Sequence, residues 1–136
     1  GVFGPREAKS AVKQSDESVL AVSFNAADGP PSSEEKEVQN LVRQALEAVV
    51  VRSQNPMTQI DVSLQCCFND GGLLAASVNA ALAALADAGV ALRMQAAAVC
   101  VAVQDDGRVL LDPSRVECES AQSVLTFVLR AQDGAV

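Results

Sequence analysis

The apolar and polar positions divide the chain into strand-length and helix-length pieces. Residues 2–13 read as extended, with Gly4-Pro5 forcing a bend near the start. Residues 17–26 carry Val and Phe over the length of a strand, and Asp28-Gly29-Pro30-Pro31 ends it. Ser32 and Glu35 have capping-box spacing and open a helix that runs to about residue 50. Its apolar positions, Val38, Leu41, Val42, Ala45, Leu46 and Val49, fall on one helical face, opposite Glu34, Glu35, Lys36, Asn40 and Arg43. Thr58 to Cys66 alternates and predicts a half-buried strand.

After the turn Asn69-Asp70-Gly71-Gly72, residues 73–88 are apolar on nearly every side, which predicts a helix buried in the middle of a domain. Gly89 stands where a left-handed residue would end it. Met94 to Val103 is an apolar strand, Asp105-Asp106-Gly107 a hairpin turn, and Arg108 to Leu111 the returning strand. Asp112-Pro113-Ser114 breaks that strand and starts a short polar turn, and Ser123 to Leu129 forms the last strand. The order β–β–α–β–α–β–β–β predicts an α+β fold of two layers, a mixed β-sheet packed with two α-helices.

Composition narrows the function. The chain has 136 residues, 49% of them hydrophobic, enough for one domain with a core and too few for two. Its net charge of −7 excludes a lone nucleic-acid binder of the usual basic kind. Lys and Arg are scattered, and only Arg6, Lys9 and Lys13 group together. No apolar run reaches membrane-spanning length without interruption, so no membrane partner is expected.

There is no histidine, which removes Ser-His, Cys-His and His-metal mechanisms together. The cysteines Cys66, Cys67, Cys100 and Cys118 lack zinc-type spacing. They are expected to be reduced, buried thiols, with Cys66 and Cys67 on opposite faces of a strand. No metal and no cofactor is expected. Asp, Glu, Arg and Lys are left for any chemistry.

Four features in order resemble the RNase PH family of phosphate-dependent exoribonucleases. They are Val2-Phe3-Gly4-Pro5, the helix Asn40-Leu-Val-Arg-Gln-Ala-Leu-Glu-Ala48, Ile60-Asp-Val leading to Asp70-Gly71-Gly72 and Asn79 to Gly89, and Leu110-Leu111-Asp112-Pro113. Their spacing matches the family along essentially the whole chain. The resemblance implies an RNase PH-like fold, with residues 1–136 a partial domain truncated at both ends, its N-terminal strands and C-terminal helix missing. The absent pieces would leave a sheet edge and some core surface uncovered.

Phosphorolysis brings orthophosphate against a phosphodiester, so guanidinium groups must hold the attacking anion. The resemblance implies a Thr-Arg or Ser-Arg pair directly after the Asp-Gly-Gly turn, where helix N–H groups add to anion binding. Those positions here are Leu73 and Leu74. It also implies two aspartates six residues apart; the first matches Asp112 and the second is Cys118, flanked by Glu117 and Glu119. Leucine cannot hold phosphate, so the expectation is a degenerate, non-catalytic site. An active phosphate-dependent or metal-assisted 3′-5′ exoribonuclease working as a homo-oligomer, with Asp112 and Glu117 or Glu119, is the alternative. Arg6, Lys9 and Lys13 are the candidate RNA contacts.

For partners, the resemblance implies a ring of RNase PH-like subunits in the RNA exosome, with exosome component eight as pairing partner and component nine as neighbour, threading RNA through the assembly. It further implies a location in nucleus, nucleolus and cytoplasm.

Overall fold

The computed structural model describes residues 1–7, 17–25, 33–54 and 56–131. Two three-stranded sheets and three α-helices make up this part. In the first sheet β1 (Val2–Glu7), β2 (Val19–Asn25) and β3 (Thr58–Gln65) lie in the order β1-β3-β2. β3 runs antiparallel to β1 and parallel to β2, with Leu20 beside Ile60 and Val22 beside Val62. The register of β1 shifts between Phe3 and Arg6, around a proline that has no N–H to give to the ladder.

Between β2 and β3 runs α1 (Ser33–Val49), the long crossover that a parallel pair requires. Val42, Leu46 and Val49 are buried, as their spacing predicts. Leu41 is instead 41% exposed, at the margin of that face beside a cavity shared with Val128 of the last strand. Ser32 and its cap lie outside the described residues.

The second sheet holds β4 (Ala96–Val103), β5 (Val109–Leu111) and β6 (Ser123–Arg130) in the order β5-β4-β6, all antiparallel. The α+β fold stands as expected, with its strands divided between one mixed and one antiparallel three-stranded sheet. Among the described residues β1–β3 pair with one another and β4–β6 with one another. Between them in sequence lies α2 (Leu73–Asp87), which touches strands of both. One contiguous core joins Leu20, Val22 and Ile60 of the first sheet, Leu46 of α1, Val78 and Leu85 of α2, and Ala98 and Cys100 of β4.

α2 is less enclosed than its hydropathy suggests. Ala75, Ser77, Val78, Ala81, Leu82 and Leu85 are buried, while Ala76, Asn79, Ala80, Ala83 and Ala86 are exposed. Alanine counts as apolar but has little side chain to bury, so an alanine face serves helix propensity more than packing. Asn79 fastens the helix to the sheet. Its Nδ2 donates to the Ala98 carbonyl at 2.8 Å, and its Oδ1 accepts from the Ala98 N–H at 2.7 Å.

The segment after Asp112, expected as a polar turn, contains α3 (Arg115–Glu119). Ser114 and Glu117 cap it reciprocally, the arrangement that the spacing Ser-x-x-Glu permits. Cys67 is exposed and Cys66 half-buried, just beyond the end of β3, whereas Cys100 is buried; all four cysteines are free thiols. The expectation of uniformly buried thiols therefore fails at Cys67. No helix among the described residues is long and apolar enough to cross a membrane.

Candidate functional site

Two loops meet at the N-terminus of α2. The first, Asn69 to Gly72, turns from the strand region into the helix. Asn69 Oδ1 accepts the Gly71 N–H at 3.1 Å, and Gly71 and Gly72 take φ values of 111° and 57°. The second, Asp112 to Ser114, follows β5. Its Asp112 N–H donates to the Cys100 carbonyl at 2.9 Å, and Asp112 itself has φ 51°.

The contact between the loops demands glycine. A Cβ on Gly71 would stand 2.4 Å from the Pro113 carbonyl oxygen. A Cβ on Gly72 would stand 3.3 Å from Asp112 Oδ1 and 3.4 Å from Cys100 Cβ. The fold thus brings the Asp112 loop and Cys118 against Gly72, the residue before Leu73 and Leu74.

The chemistry at that place is apolar. Leu73 and Leu74 are half-buried and pack against the core. Leu73 also lines a cavity of about 350 Å³ with Phe24, Leu64, Phe68 and Ala76, and no Lys or Arg is among its lining residues. Gly72 caps α2 with backbone alone, no side chain bonding to the helix start.

Cys118 occupies the second acidic position implied by the resemblance. Burial, then the neighbouring Cys100, pushes its thiol above the ordinary cysteine value, against a partial opposing pull from the Gly72 N–H. A thiol held in its neutral form carries no negative charge and is no substitute for a carboxylate. Among the described residues no group of three or more His, Cys, Asp or Glu side chains is placed to hold a metal ion.

The flanking glutamates are occupied. Glu117 Oε2 accepts from the Ser114 N–H at 2.8 Å and the Ser114 hydroxyl at 2.9 Å, and these bonds hold its pKa below the ordinary glutamate value. Glu119 pairs with Arg115 at 3.0 Å, turning that guanidinium along α3. Arg43 pairs with Glu47, Arg52 with Glu17 and Arg108 with Asp106. Of the candidate RNA contacts, Lys9 and Lys13 lie outside the described residues; Arg6 is placed by its backbone in β1, and its side chain lies outside the description.

Sequence reasoning missed the Ser114–Glu117 cap, the Asn79 clamp and the position of Cys100 under Gly72. The first had a legible signal in its spacing. The other two depend on pairing between distant segments, which no local pattern carries.

A two-sheet α+β architecture, with the Asp-Gly-Gly turn seated against a facing Asp-Pro loop, fits the domain class that the sequence resembles. The chain belongs to the RNase PH family: residues 1–91 match the family model described as the 3′ exoribonuclease family, domain 1. It is 30% identical over 116 residues to the Exosome complex exonuclease RRP46 homolog of Arabidopsis thaliana, covering 85% of this chain and 48% of that protein. It is 30% identical over 127 residues to the homolog of the same name from Oryza sativa, covering 93% of this chain and 53% of that protein. The crystal structure of rice Rrp46 superposes with a TM-score of 0.87 at 30% identity, covering 95% of this chain and 61% of that one. The chain therefore spans about half the length of the curated relatives it matches.

Proposed function

We propose that the protein is a non-catalytic RNase PH-like ring subunit of the RNA exosome, of the type called exosome component five. It scaffolds a complex that processes and degrades RNA from the 3′ end and contributes no phosphorolytic site of its own. The observation that carries this reading is Leu73 and Leu74 packed against the core at the start of α2, where the reaction needs a guanidinium. Cys118 in place of a carboxylate is a second, independent loss.

The subunit type rests on the names of the relatives and on particular runs of sequence. Asp70-Gly-Gly-Leu-Leu-Ala75, Ala98 to Val103, and Ala121 to Leu129 resemble component five. On this reading the pairing partner is exosome component eight, the neighbour is component nine, and the complex works in nucleus, nucleolus and cytoplasm.

The test is phosphate-dependent release of nucleoside diphosphates from single-stranded RNA by the full-length protein. Release should stay at background; loss of a single key anion-stabilising donor alone removes about 100- to 1,000-fold in rate. Phosphate-dependent release well above background, abolished by Asp112→Asn, would overturn the reading. The competing nuclease, using Asp112 with Glu117 or Glu119, is disfavoured because both glutamates are already engaged by Ser114 and Arg115.

A further inference from the structure

Two cysteine thiols that the candidate site does not use come together at the start of α2. Cys100 of β4 is buried, and its Cβ lies 3.4 Å from where a Cβ on Gly72 would stand. Cys118 of α3 is half-buried, and the Gly72 N–H is hydrogen-bonded to its sulfur. Its thiol in turn donates to the Pro113 carbonyl oxygen at 3.8 Å, the atom that a Cβ on Gly71 would meet at 2.4 Å. The two thiols therefore flank one residue, and that residue has no side chain to hold them apart.

The backbone around them is tied at several points. The Asp112 N–H donates to the Cys100 carbonyl at 2.9 Å and joins β4 to the loop that leads into α3. The Cys118 N–H donates to the Ser114 carbonyl at 2.9 Å and fixes the residue within α3. These contacts run between α2, β4 and α3, inside the domain, and none of them depends on which outer face is covered. Both sulfurs are free thiols. Among the described residues they belong to no group of three or more side chains placed to hold a metal ion.

We infer that Cys100 and Cys118 form an oxidative modification site, where a hydroperoxide joins β4 to α3 by a disulfide across Gly72. The inference stands apart from the ring reading and uses neither its partners nor RNA. A disulfide brings its two Cβ atoms to about 3.8 Å. A side chain at residue 72 would lie in that approach, and glycine leaves it free. Cys118, the more accessible of the two, reacts first. Its sulfur, as thiolate, attacks one peroxide oxygen and the O–O bond breaks. A sulfenic acid remains, and the hydroxide released takes up the thiol's proton as water. The Cys100 sulfur then attacks the sulfenic sulfur, the S–O bond breaks, and the departing hydroxide leaves with the Cys100 proton as a second water. Two thiols lose two electrons, and one peroxide accepts them. Burial and the neighbouring Cys100 raise the Cys118 thiol above its ordinary value, so the first step is slow at neutral pH and the site answers sustained oxidation.

The experiment treats the folded full-length protein with excess hydrogen peroxide, blocks the remaining thiols with iodoacetamide and maps the peptides by mass spectrometry. The expected result is a linked Cys100–Cys118 peptide as the main product of both residues, lost on reduction with dithiothreitol. The bond encloses residues 101–117 and should raise Tm by about 5 °C or more. In Cys100→Ser, which lacks the resolving thiol, Cys118 should go on to the sulfinic acid. Should that variant fail to fold, Cys118→Ser takes its place, and its Cys100 should stay unmodified. Cys118 ending as sulfinic acid in the wild type, with Cys100 still free, would overturn the inference, because the thiols would then be out of each other's reach. Pairing of either with Cys66 or Cys67, or a linked peptide that forms only in denaturant, would overturn it equally. So would survival of both thiols under peroxide that consumes the exposed Cys67, or a fall in Tm when the bond forms.

Discussion

At the scale of single residues, Gly71 is the position most constrained by the site. Its φ of 111° is unfavourable for any side chain, and a Cβ there would meet the Pro113 carbonyl at 2.4 Å. Gly107 has φ 81° but nothing within 4 Å of such a Cβ. Gly107→Ala should therefore cost only its backbone strain, about 1–2 kcal/mol. Gly71→Ala adds overpacking against backbone and should cost about 3 kcal/mol or more in denaturant unfolding. Equal costs would mean that the loops separate without penalty. Glu117 gives a second test. Ser114 stabilises its charged form, so this contribution is present above the ordinary carboxyl range and is lost as pH falls through the depressed value. In an NMR titration Ser114→Ala should raise the Glu117 pKa only in part, because the Ser114 N–H, the larger cause, remains; a full return to the ordinary value would mean that the carboxylate does not hold the N–H.

At the scale of elements, the helices and strands with clean periodicity were legible in the sequence. The alternation of β3 and the one-sided face of α1 place their side chains as the pattern demands, with Ile60, Val62, Val42 and Leu46 buried. What stayed illegible depends on partners. Hydropathy cannot tell an alanine that packs from one that merely favours helix, so Ala81 is buried while Ala80 and Ala83 are exposed. The hairpin turn signals that β4 pairs with β5, but no local signal says that its other neighbour is β6. Of the candidate site, the resemblance named the positions Leu73, Leu74, Asp112 and Cys118, and the contact of the Asp112 loop and Cys118 with Gly72 came only with the fold. The reciprocal cap that occupies Glu117 followed from a pattern that was present and unused.

The Asn79 clamp belongs to this same scale, since it replaces strand pairing at a part of β4 that β5 does not reach: β5 pairs with β4 only from Val101 to Val103. Asn79→Ala should destabilise by about 2 kcal/mol, because both Ala98 backbone groups lose their partner in a buried position. Hydrogen exchange at the Ala98 amide should accelerate more than at Ala102. Uniform acceleration through β4 would instead indicate global loosening, and no change at all would make the clamp dispensable.

At the scale of the whole molecule, the distribution of charge argues for a part in an assembly over independent RNA binding. The net charge is −7, and Arg43, Arg52, Arg108 and Arg115 are each already paired with a carboxylate. Phosphate contacts would have to compete with those pairs and with the overall negative field. If the rest of the protein adds no basic surface, the isolated subunit should bind a single-stranded RNA no more tightly than about 100 µM at physiological salt, the weak end of non-specific affinity. If the proposed ring forms and its RNA path runs along Arg6, Lys9 and Lys13, those residues gain a role there. Replacing all three by alanine should then weaken RNA binding by the complex and flatten its salt dependence by up to about three in slope, roughly one for each lost phosphate contact. Salt-sensitive binding by the isolated subunit in the micromolar range or tighter would contradict this division of labour. An unaltered salt slope in the triple variant would move the RNA path to another surface.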